Sequence, residues 1–279
     1  MNSSLLETSI ALVPGHPGEG DPGYLARRGE LSRLVARIES GAELPTVQYT
    51  AEETRVWRAV MDRLSNLHEI HASSLYLSGF RQLEMSVLRP PEPADLAAAL
   101  LRETGFGLVL TDGLLDARVF LAHLGTRRQP CTVYLRHGSR PDYTPEPDLV
   151  HEAIGHAPML ADPDAARINE VMGKAAATAS PRQLEALLRL YWFTLEFGLV
   201  EERSGLRAYG AGLLSSFGEL PHAFSDAVER RDFDLKRVIE QNYHHDRMQD
   251  VLYVAPSLGV VLAAVETWLG SGDYARLVA

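Results

Sequence analysis

The chain has 279 residues, enough for one large domain with a sizeable core. Hydrophobic residues make up 46% and charged residues 23%, the balance of a globular fold rather than of a disordered or membrane-embedded chain. A formal net charge of −10 argues against nucleic acid or an anionic membrane as partner, and the single cysteine, Cys131, excludes a disulfide framework and a cysteine-rich zinc site.

The first 24 residues carry the Gly- and Pro-rich run VPGHPGEGDPG, which predicts irregular chain. They lack the basic and apolar regions of a secretory signal. No window reaches the ~18–20 apolar residues of a membrane span. With one cysteine, these features lead to the expectation of a reducing cytoplasm. Leu31, Leu34, Val35 and Ile38 keep helical spacing and predict a short helix on the surface of the domain. Thr50-Ala51-Glu52-Glu53 is a capping box. It opens an amphipathic helix with Val56, Trp57, Val60, Met61, Leu64 and Leu67 on one face. A second helix is expected over 73–87. Pro90, Pro91 and Pro93 interrupt the chain, and Asp95 to Glu103 then reads as a helix ended by Gly105.

FGLVL (106–110) and CTVYLR (131–136) read as strands on either side of a helical segment near 116–124. Asp162-Pro163 and Ser180-Pro181 each pair an N-cap with a proline suited to the first helical position. The Ser180 helix should run to Glu196–Gly198, because Leu184, Leu187, Leu188, Tyr191 and Leu195 recur at helical spacing. Val200 to Tyr209 reads as a hairpin turning at Ser204-Gly205. VLYVA (251–255) reads as a strand and 257–269 as a last helix. The expected fold is mainly α, one catalytic domain of many helices with a few short strands over 48–279. A partly irregular extension precedes it over 1–47.

HEAIGH places His151 and His156 five apart, on a helix that Asp148 can cap. On an ideal α-helix such side chains point about 140° apart. Gly155 and Pro158 are expected to end the helix there and so let both imidazoles reach one ion. Glu196 lies among Tyr191, Trp192, Phe193 and Phe197, where an ionised carboxylate needs a cation or an arginine. Two histidines and a carboxylate can hold iron on one face and leave the other open to oxygen and substrate. Two other readings stand beside this one. A zinc peptidase needs H-E-x-x-H, and Gly155 occupies the second ligand's place. A binding module without chemistry would use the histidines only for hydrogen bonds. The remaining histidines (16, 68, 71, 123, 137, 222, 244 and 245) read as solvated or hydrogen-bonded.

Three blocks carry a resemblance: VYLRHGSRPDYTPEPDLVHEAIGHAPMLADP (133–163), LYWFTLEFGL (190–199) and AYGAGLLSSFGEL (208–220). In them the chain resembles the catalytic domain of the pterin-dependent aromatic amino acid hydroxylases. YTAEETRVWRAVMDRL and TGFGLVLTDGLLDARVFLAHL extend the likeness weakly, to cover roughly 48 to 255. The resemblance implies that His151, His156 and Glu196 are the ligands of Fe(II). It implies that Leu115, Phe120, Glu152 and Tyr191 line a tetrahydropterin pocket, with Phe120 stacking on the ring. Arg136 matches a clamp for the amino acid carboxylate, and Asp148 the acid that orients it. Thr144, Pro145, Trp192, Gly212 and Ser215 match the wall of the amino acid pocket. Ser215 would also hold a ligand histidine. Glu152, Trp192 and Ser215 are the residues implied to serve catalysis.

The implied reaction is hydroxylation of L-phenylalanine to L-tyrosine with Fe(II), tetrahydropterin and O2. The alternatives are tryptophan or tyrosine as substrate, another ring position, or, in a different class, a zinc-dependent hydrolase. Two departures matter. Where relatives often read F-H-x-T-Q-Y, this chain reads Gln129-Pro130-Cys131-Thr132-Val133-Tyr134, so Pro130 and Val133 replace a His and a Gln near the pterin. The late loop QNYHHDRMQDVLYVA places His244 and His245 where relatives tune phenylalanine against tyrosine, and His245 is expected to meet the substrate. The length leaves no room for the full regulatory and tetramerising segments of animal relatives, which leads to the expectation of a compact monomer.

Overall fold

The computed structural model describes residues 12–38, 43–245 and 247–278. Part of the N-terminal run expected to be irregular, residues 1–11, lies outside them. The helices are α1 (Pro22–Ala36), α2 (Ala51–His71), α3 (Ser74–Gln82), α4 (Pro93–Thr104), α5 (Ala117–Gly125) and α6 (Ala157–Leu160). They continue with α7 (Pro163–Thr178), α8 (Pro181–Tyr191), α9 (Ala211–Leu214), α10 (Glu219–Ala223), α11 (Leu235–Val238), α12 (Leu258–Leu269) and α13 (Gly272–Ala275). Two π-helical segments, His151–His156 and Trp192–Glu196, run directly into α6 and out of α8. The strands are β1 (Gly107–Thr111), β2 (Arg128–Thr132), β3 (Leu199–Glu202), β4 (Gly205–Ala208), β5 (Glu229–Asp232) and β6 (Val251–Ala255). The mainly α architecture expected from the sequence is what the chain adopts.

Capping chemistry places most helix starts where the sequence puts them. Thr50 Oγ1 accepts from the Glu53 amide at 3.1 Å, and the Glu53 carboxylate accepts from the Thr50 amide at 2.7 Å. Ser180 forms a second such box with Gln183 at the start of α8, and Asp116, Asp162 and Ser257 cap α5, α7 and α12 by side-chain acceptance alone. Gly105 ends α4 in the left-handed conformation, φ 75°. α3 stops at Gln82, short of the expected 87.

The N-terminal helix departs from expectation. α1 starts at Pro22, inside the run read as irregular, because the Asp21 carboxylate caps the Gly23 and Tyr24 amides. Ile38 lies beyond its end. Nor is α1 superficial. Leu31 is buried, and the buried Arg28 pairs with Glu146 at 2.7 Å. The same guanidinium lies 3.3 Å from the centroid of the Tyr134 ring. A charged residue makes the inner face, which apolar spacing does not reveal.

β1 and β2 pair in parallel, from Gly107 opposite Arg128 to Thr111 opposite Thr132, with α5 as the crossover. The second strand was expected at 131–136. Val133, Tyr134 and Leu135 are instead buried without ladder partners, because β1 has already used its length on 128–132. The other sheet runs β4-β3-β6-β5. Its hairpin turns at Arg203-Ser204, with Gly205 at φ 101°. β5 reads ERRD and carries no apolar residue, so periodicity could not announce it. α7 packs against both α5 and α12, and the two π segments meet α9 at the centre. Among the described residues no helix is long and apolar enough to cross a membrane.

Candidate active site

The two histidines meet because the helix widens, not because it ends. Over His151–His156 the backbone is π-helical, and the Ala157 amide donates to the Glu152 carbonyl five residues back. A turn closed over five residues puts side chains five apart on one face. Gly155 and Pro158 were expected to terminate the helix. The chain instead continues through α6 to Leu160. Pro158 cannot donate a backbone hydrogen bond, which weakens the α pattern without breaking the segment. Gly155 lets α9 approach: a Cβ there would stand 2.8 Å from the Ala211 carbonyl oxygen. The second π segment ends at Glu196, where the Phe197 amide donates to the Trp192 carbonyl at 2.8 Å.

His151, His156 and Glu196 offer donor atoms that all lie within 4.8 Å of one another. His156 Nε2 is 3.0 Å from His151 Nε2 and 3.1 Å from Glu196 Oε1. His151 Nε2 is 3.7 Å from Glu196 Oε2. Ser215 Oγ donates to the Ala211 carbonyl at 2.8 Å and lies 3.1 Å from His151 Nδ1. Its proton is thus committed, so it accepts from Nδ1–H, and the Nε2 lone pair of His151 points into the cluster. Burial pushes His151 down to about 4. Burial also opposes protonation of His156, but the charge and hydrogen bond of Glu196 outweigh it and raise its pKa. Glu196 is pulled down to about 2 by the two imidazoles despite its burial. Two imidazoles and a carboxylate converging in a buried place fit a divalent cation, which displaces the shared proton on binding.

Arg136 and Asp148 form a buried bidentate pair rather than a surface one. Arg136 Nε and Nη2 donate to Asp148 Oδ2 and Oδ1, each at 2.9 Å, and the Arg136 amide adds a bond of 2.8 Å. Burial opposes ionisation of Asp148, but Arg136 outweighs it and keeps its pKa below the usual value. Asp148 also accepts from the His151 amide at 3.2 Å, so it ties the arginine to the start of the π turn. Among the described residues the Nη1–Nη2 edge of the guanidinium makes only a 3.4 Å contact, to the Pro141 carbonyl.

Phe120 on α5 meets the Tyr191 ring edge-on, with centroids 5.5 Å apart. Tyr191 in turn lies 6.4 Å from the His156 ring. The Tyr191 hydroxyl is buried, and among the described residues none lies in hydrogen-bonding geometry with it. Leu115 is half-buried in the loop before α5. Glu152, beside His151, is buried, and burial pushes its carboxyl up to about 7.

On the other side, Trp192 stacks on Phe197 at 4.7 Å and on Tyr243 at 4.5 Å, and His245 meets it edge-on at 5.1 Å. The Trp192 indole N–H has no hydrogen-bond partner among the described residues. His245 is exposed, at the rim of this stack. A Cβ on Gly212 would stand 2.8 Å from the Phe197 ring, so the glycine seats α9 against the aromatic wall. Thr144 and Pro145 are half-buried, and Thr144 Oγ1 donates to the Glu146 carbonyl at 2.7 Å. Two residues of the site escaped the sequence reading. Tyr243 sits in a polar loop, and only its place two residues before His245 hinted at it. Gln129, noted only within a departing motif, donates to Glu152 at 3.0 Å. Of the other histidines, His68 is buried between the Leu214 carbonyl and Tyr76, and His16 accepts from the Gly18 amide. Both fit the hydrogen-bonded role expected of them.

The family described as biopterin-dependent aromatic amino acid hydroxylase matches residues 1–271. A tyrosine 3-monooxygenase of Caenorhabditis briggsae is 42% identical over 264 residues, covering 93% of this chain and 51% of that protein. Human phenylalanine-4-hydroxylase is 38% identical over 259 residues, 91% of this chain and 57% of its own length. The chain thus spans about half the length of the curated relatives it matches. A crystal structure of Chromobacterium violaceum phenylalanine hydroxylase with iron(III) and 7,8-dihydrobiopterin superposes with a TM-score of 0.78 at 33% identity, covering 88% of this chain and 90% of that one. With the π-helical histidine pair, the buried glutamate and these likenesses together, the chain belongs to the biopterin-dependent aromatic amino acid hydroxylases.

Proposed function

We propose that this chain hydroxylates the ring of a free aromatic L-amino acid, with L-phenylalanine the favoured substrate and L-tyrosine the product. His151, His156 and Glu196 would hold Fe(II), and Leu115, Phe120, Glu152 and Tyr191 would line the site of a tetrahydropterin. Bound there, the iron and the reduced pterin supply the electrons for oxygen chemistry. The convergence of two imidazoles and one carboxylate within 4.8 Å carries this reading. Three protein ligands leave coordination positions free, whereas a closed structural zinc site uses four.

The chain's own residues do the placement. Ser215 fixes the tautomer and direction of His151. Arg136 offers its outer N–H edge to the amino acid carboxylate while Asp148 holds the guanidinium from behind. Trp192, with Thr144, Pro145, Gly212 and Ser215, forms the wall against which the substrate ring rests. Phe197 and Tyr243 back that wall and keep water out. The protein acts alone on small molecules and works as a monomer.

Tyrosine is the second reading. His245 stands at the rim with an imidazole that can hydrogen-bond a phenol, and identity to the tyrosine 3-monooxygenase is 42% against 38% for the phenylalanine hydroxylase. The test is direct. Protein loaded anaerobically with Fe(II) receives tetrahydropterin, oxygen and one aromatic amino acid at a time, and each product is identified by mass and chromatography. Tyrosine from phenylalanine is expected. Dihydroxyphenylalanine as the main product would favour the second reading, and no hydroxylated product from any of the three would overturn both.

A further inference from the structure

Beside the site lies one buried polar side chain that these roles leave unused. Gln129, on β2, is 1% exposed. Its Nε2 amide donates to Glu152 Oε2 at 3.0 Å and to the Pro130 carbonyl at 3.1 Å. Its Oε1 is buried without a hydrogen-bond partner among the described residues. Among the described residues no other side chain donates to the Glu152 carboxylate. Pro130 has no N–H to offer and the Val133 side chain has no polar atom.

The orphaned Oε1 is destabilising and offsets part of what the amide contributes by satisfying the buried Glu152 carboxylate. What the side chain does provide is a fixed donor against a buried carboxylate that follows directly on His151. We propose that Gln129 is a positioning residue for the pterin: its amide holds the Glu152 carboxylate in the one orientation that receives the cofactor. This inference rests on the pterin site proposed above.

The test separates positioning from packing. Tetrahydropterin is titrated under nitrogen into the Fe(II)-loaded protein, phenylalanine is titrated in parallel, and melting is recorded. Gln129→Met keeps length and volume but loses both hydrogen bonds. It should fold, melt somewhat lower because the buried Glu152 carboxylate loses its donor, and bind the pterin about tenfold more weakly, the scale of one hydrogen bond to a charged group. Phenylalanine affinity should not change. In a Glu152→Ala background the same substitution should have no further effect on pterin affinity, because its partner is gone. Gln129→Leu serves if the methionine variant does not fold. Wild-type pterin affinity in Gln129→Met, an undiminished loss in the Glu152→Ala background, or equal weakening of both ligands with a lower melting point would each overturn the proposal. A wild-type protein that takes up no pterin at all would overturn the underlying assignment with it.

Discussion

The Nε2 atoms of His151 and His156 lie 3.0 Å apart although the residues are five positions apart in the chain. An α-helix would aim them at different neighbours, and a sharp helix end would leave the second histidine on mobile backbone. The π turn does neither. It keeps both residues on hydrogen-bonded backbone and stacks them on one face. Trp192–Glu196 repeats the device, so all three converging side chains sit on widened helix, two of them at its ends and Glu196 where it unwinds.

The cluster predicts a graded metal phenotype. If Glu196 is a ligand as proposed, Glu196→Ala leaves only the two imidazoles, and purified protein should retain almost no iron. Ser215→Ala removes only the acceptor that directs His151, and such losses lower metal affinity about 10–100-fold. Iron content and a competitive titration with a chelator distinguish the two. Equal iron affinity in Ser215→Ala and wild type would mean that the 3.1 Å contact does not steer the ligand.

Gly155→Ala tests the packing that supports the π turn. The new methyl would stand 2.8 Å from the Ala211 carbonyl oxygen and 3.1 Å from the Ala211 Cβ. Alanine favours helix by up to about 1 kcal/mol over glycine. The backbone clash outweighs this, since overpacking costs about 1–3 kcal/mol. Urea unfolding should show net destabilisation, and iron affinity should fall as well, because α9 carries the carbonyl that anchors Ser215. A variant as stable as wild type would show that α9 retreats freely.

Local signals in the sequence were reliable where they involve neighbouring residues. The Thr50 box, the Asp162 and Ser180 caps and the Gly105 stop all rest on contacts within four residues, and all fall where the sequence puts them. The buried Arg28–Glu146 pair spans 118 positions, and nothing in the local pattern of α1 reveals it. The register of β2 depends on where β1 runs out, so an apolar run was mistaken for strand. The converging His151, His156 and Glu196 could be picked out from residue types and motifs, but the π geometry that brings them together could not, because Gly155 and Pro158 read equally well as a helix stop.

His68 gives a pH dependence with a definite sign. Burial between the Leu214 carbonyl and Tyr76 pushes its pKa from 6.5 down to about 4. The unfolded chain takes up the proton near 6.5 and the folded chain only near 4. Stability is therefore full above pH 6.5 and falls as the pH drops toward 4. At pH 5 the loss amounts to about 2 kcal/mol, at roughly 1.4 kcal/mol per pH unit. His68→Gln cannot titrate, so between pH 7 and pH 5 it should lose about 2 kcal/mol less than wild type in urea unfolding. Parallel losses in the two proteins would place a proton on His68 in the fold.

Substrate choice should run through His245 and the ring it touches. His245 lies edge-on to Trp192 at 5.1 Å and to Tyr243 at 4.8 Å, and Tyr243 stacks on Trp192. His245→Val removes a hydrogen-bonding group from the rim of the proposed ring pocket. The ratio of kcat/KM for phenylalanine over tyrosine should rise by about 5- to 10-fold, the worth of one hydrogen bond. An unchanged ratio would put the imidazole outside the reach of the substrate.

Arg136 carries the sharpest prediction, because its surroundings assign its N–H groups one by one. Asp148 takes Nε–H and one Nη2–H, and the Asp148 carboxylate is fully buried. The outer edge, Nη1 with the second Nη2–H, meets only the Pro141 carbonyl at 3.4 Å. Two parallel donors are thus left for a carboxylate, which a lysine ammonium cannot supply while still reaching Asp148. Arg136→Lys keeps a positive charge beside Asp148, so the fold and the convergence of His151, His156 and Glu196 should survive. Amino acid affinity should fall at least ~10-fold, the low end of what loss of a desolvated charge contact costs. Pterin affinity should fall much less, because Arg136 donates to none of the residues proposed to line the pterin site. Calorimetric titration of phenylalanine into the iron- and pterin-loaded variant under nitrogen measures the first, and titration of pterin alone the second. Wild-type phenylalanine affinity would show that the outer edge of Arg136 does not hold the substrate. A loss shared equally by phenylalanine, pterin and iron would mean that the pair with Asp148 braces the π turn and has no separate part in recognition.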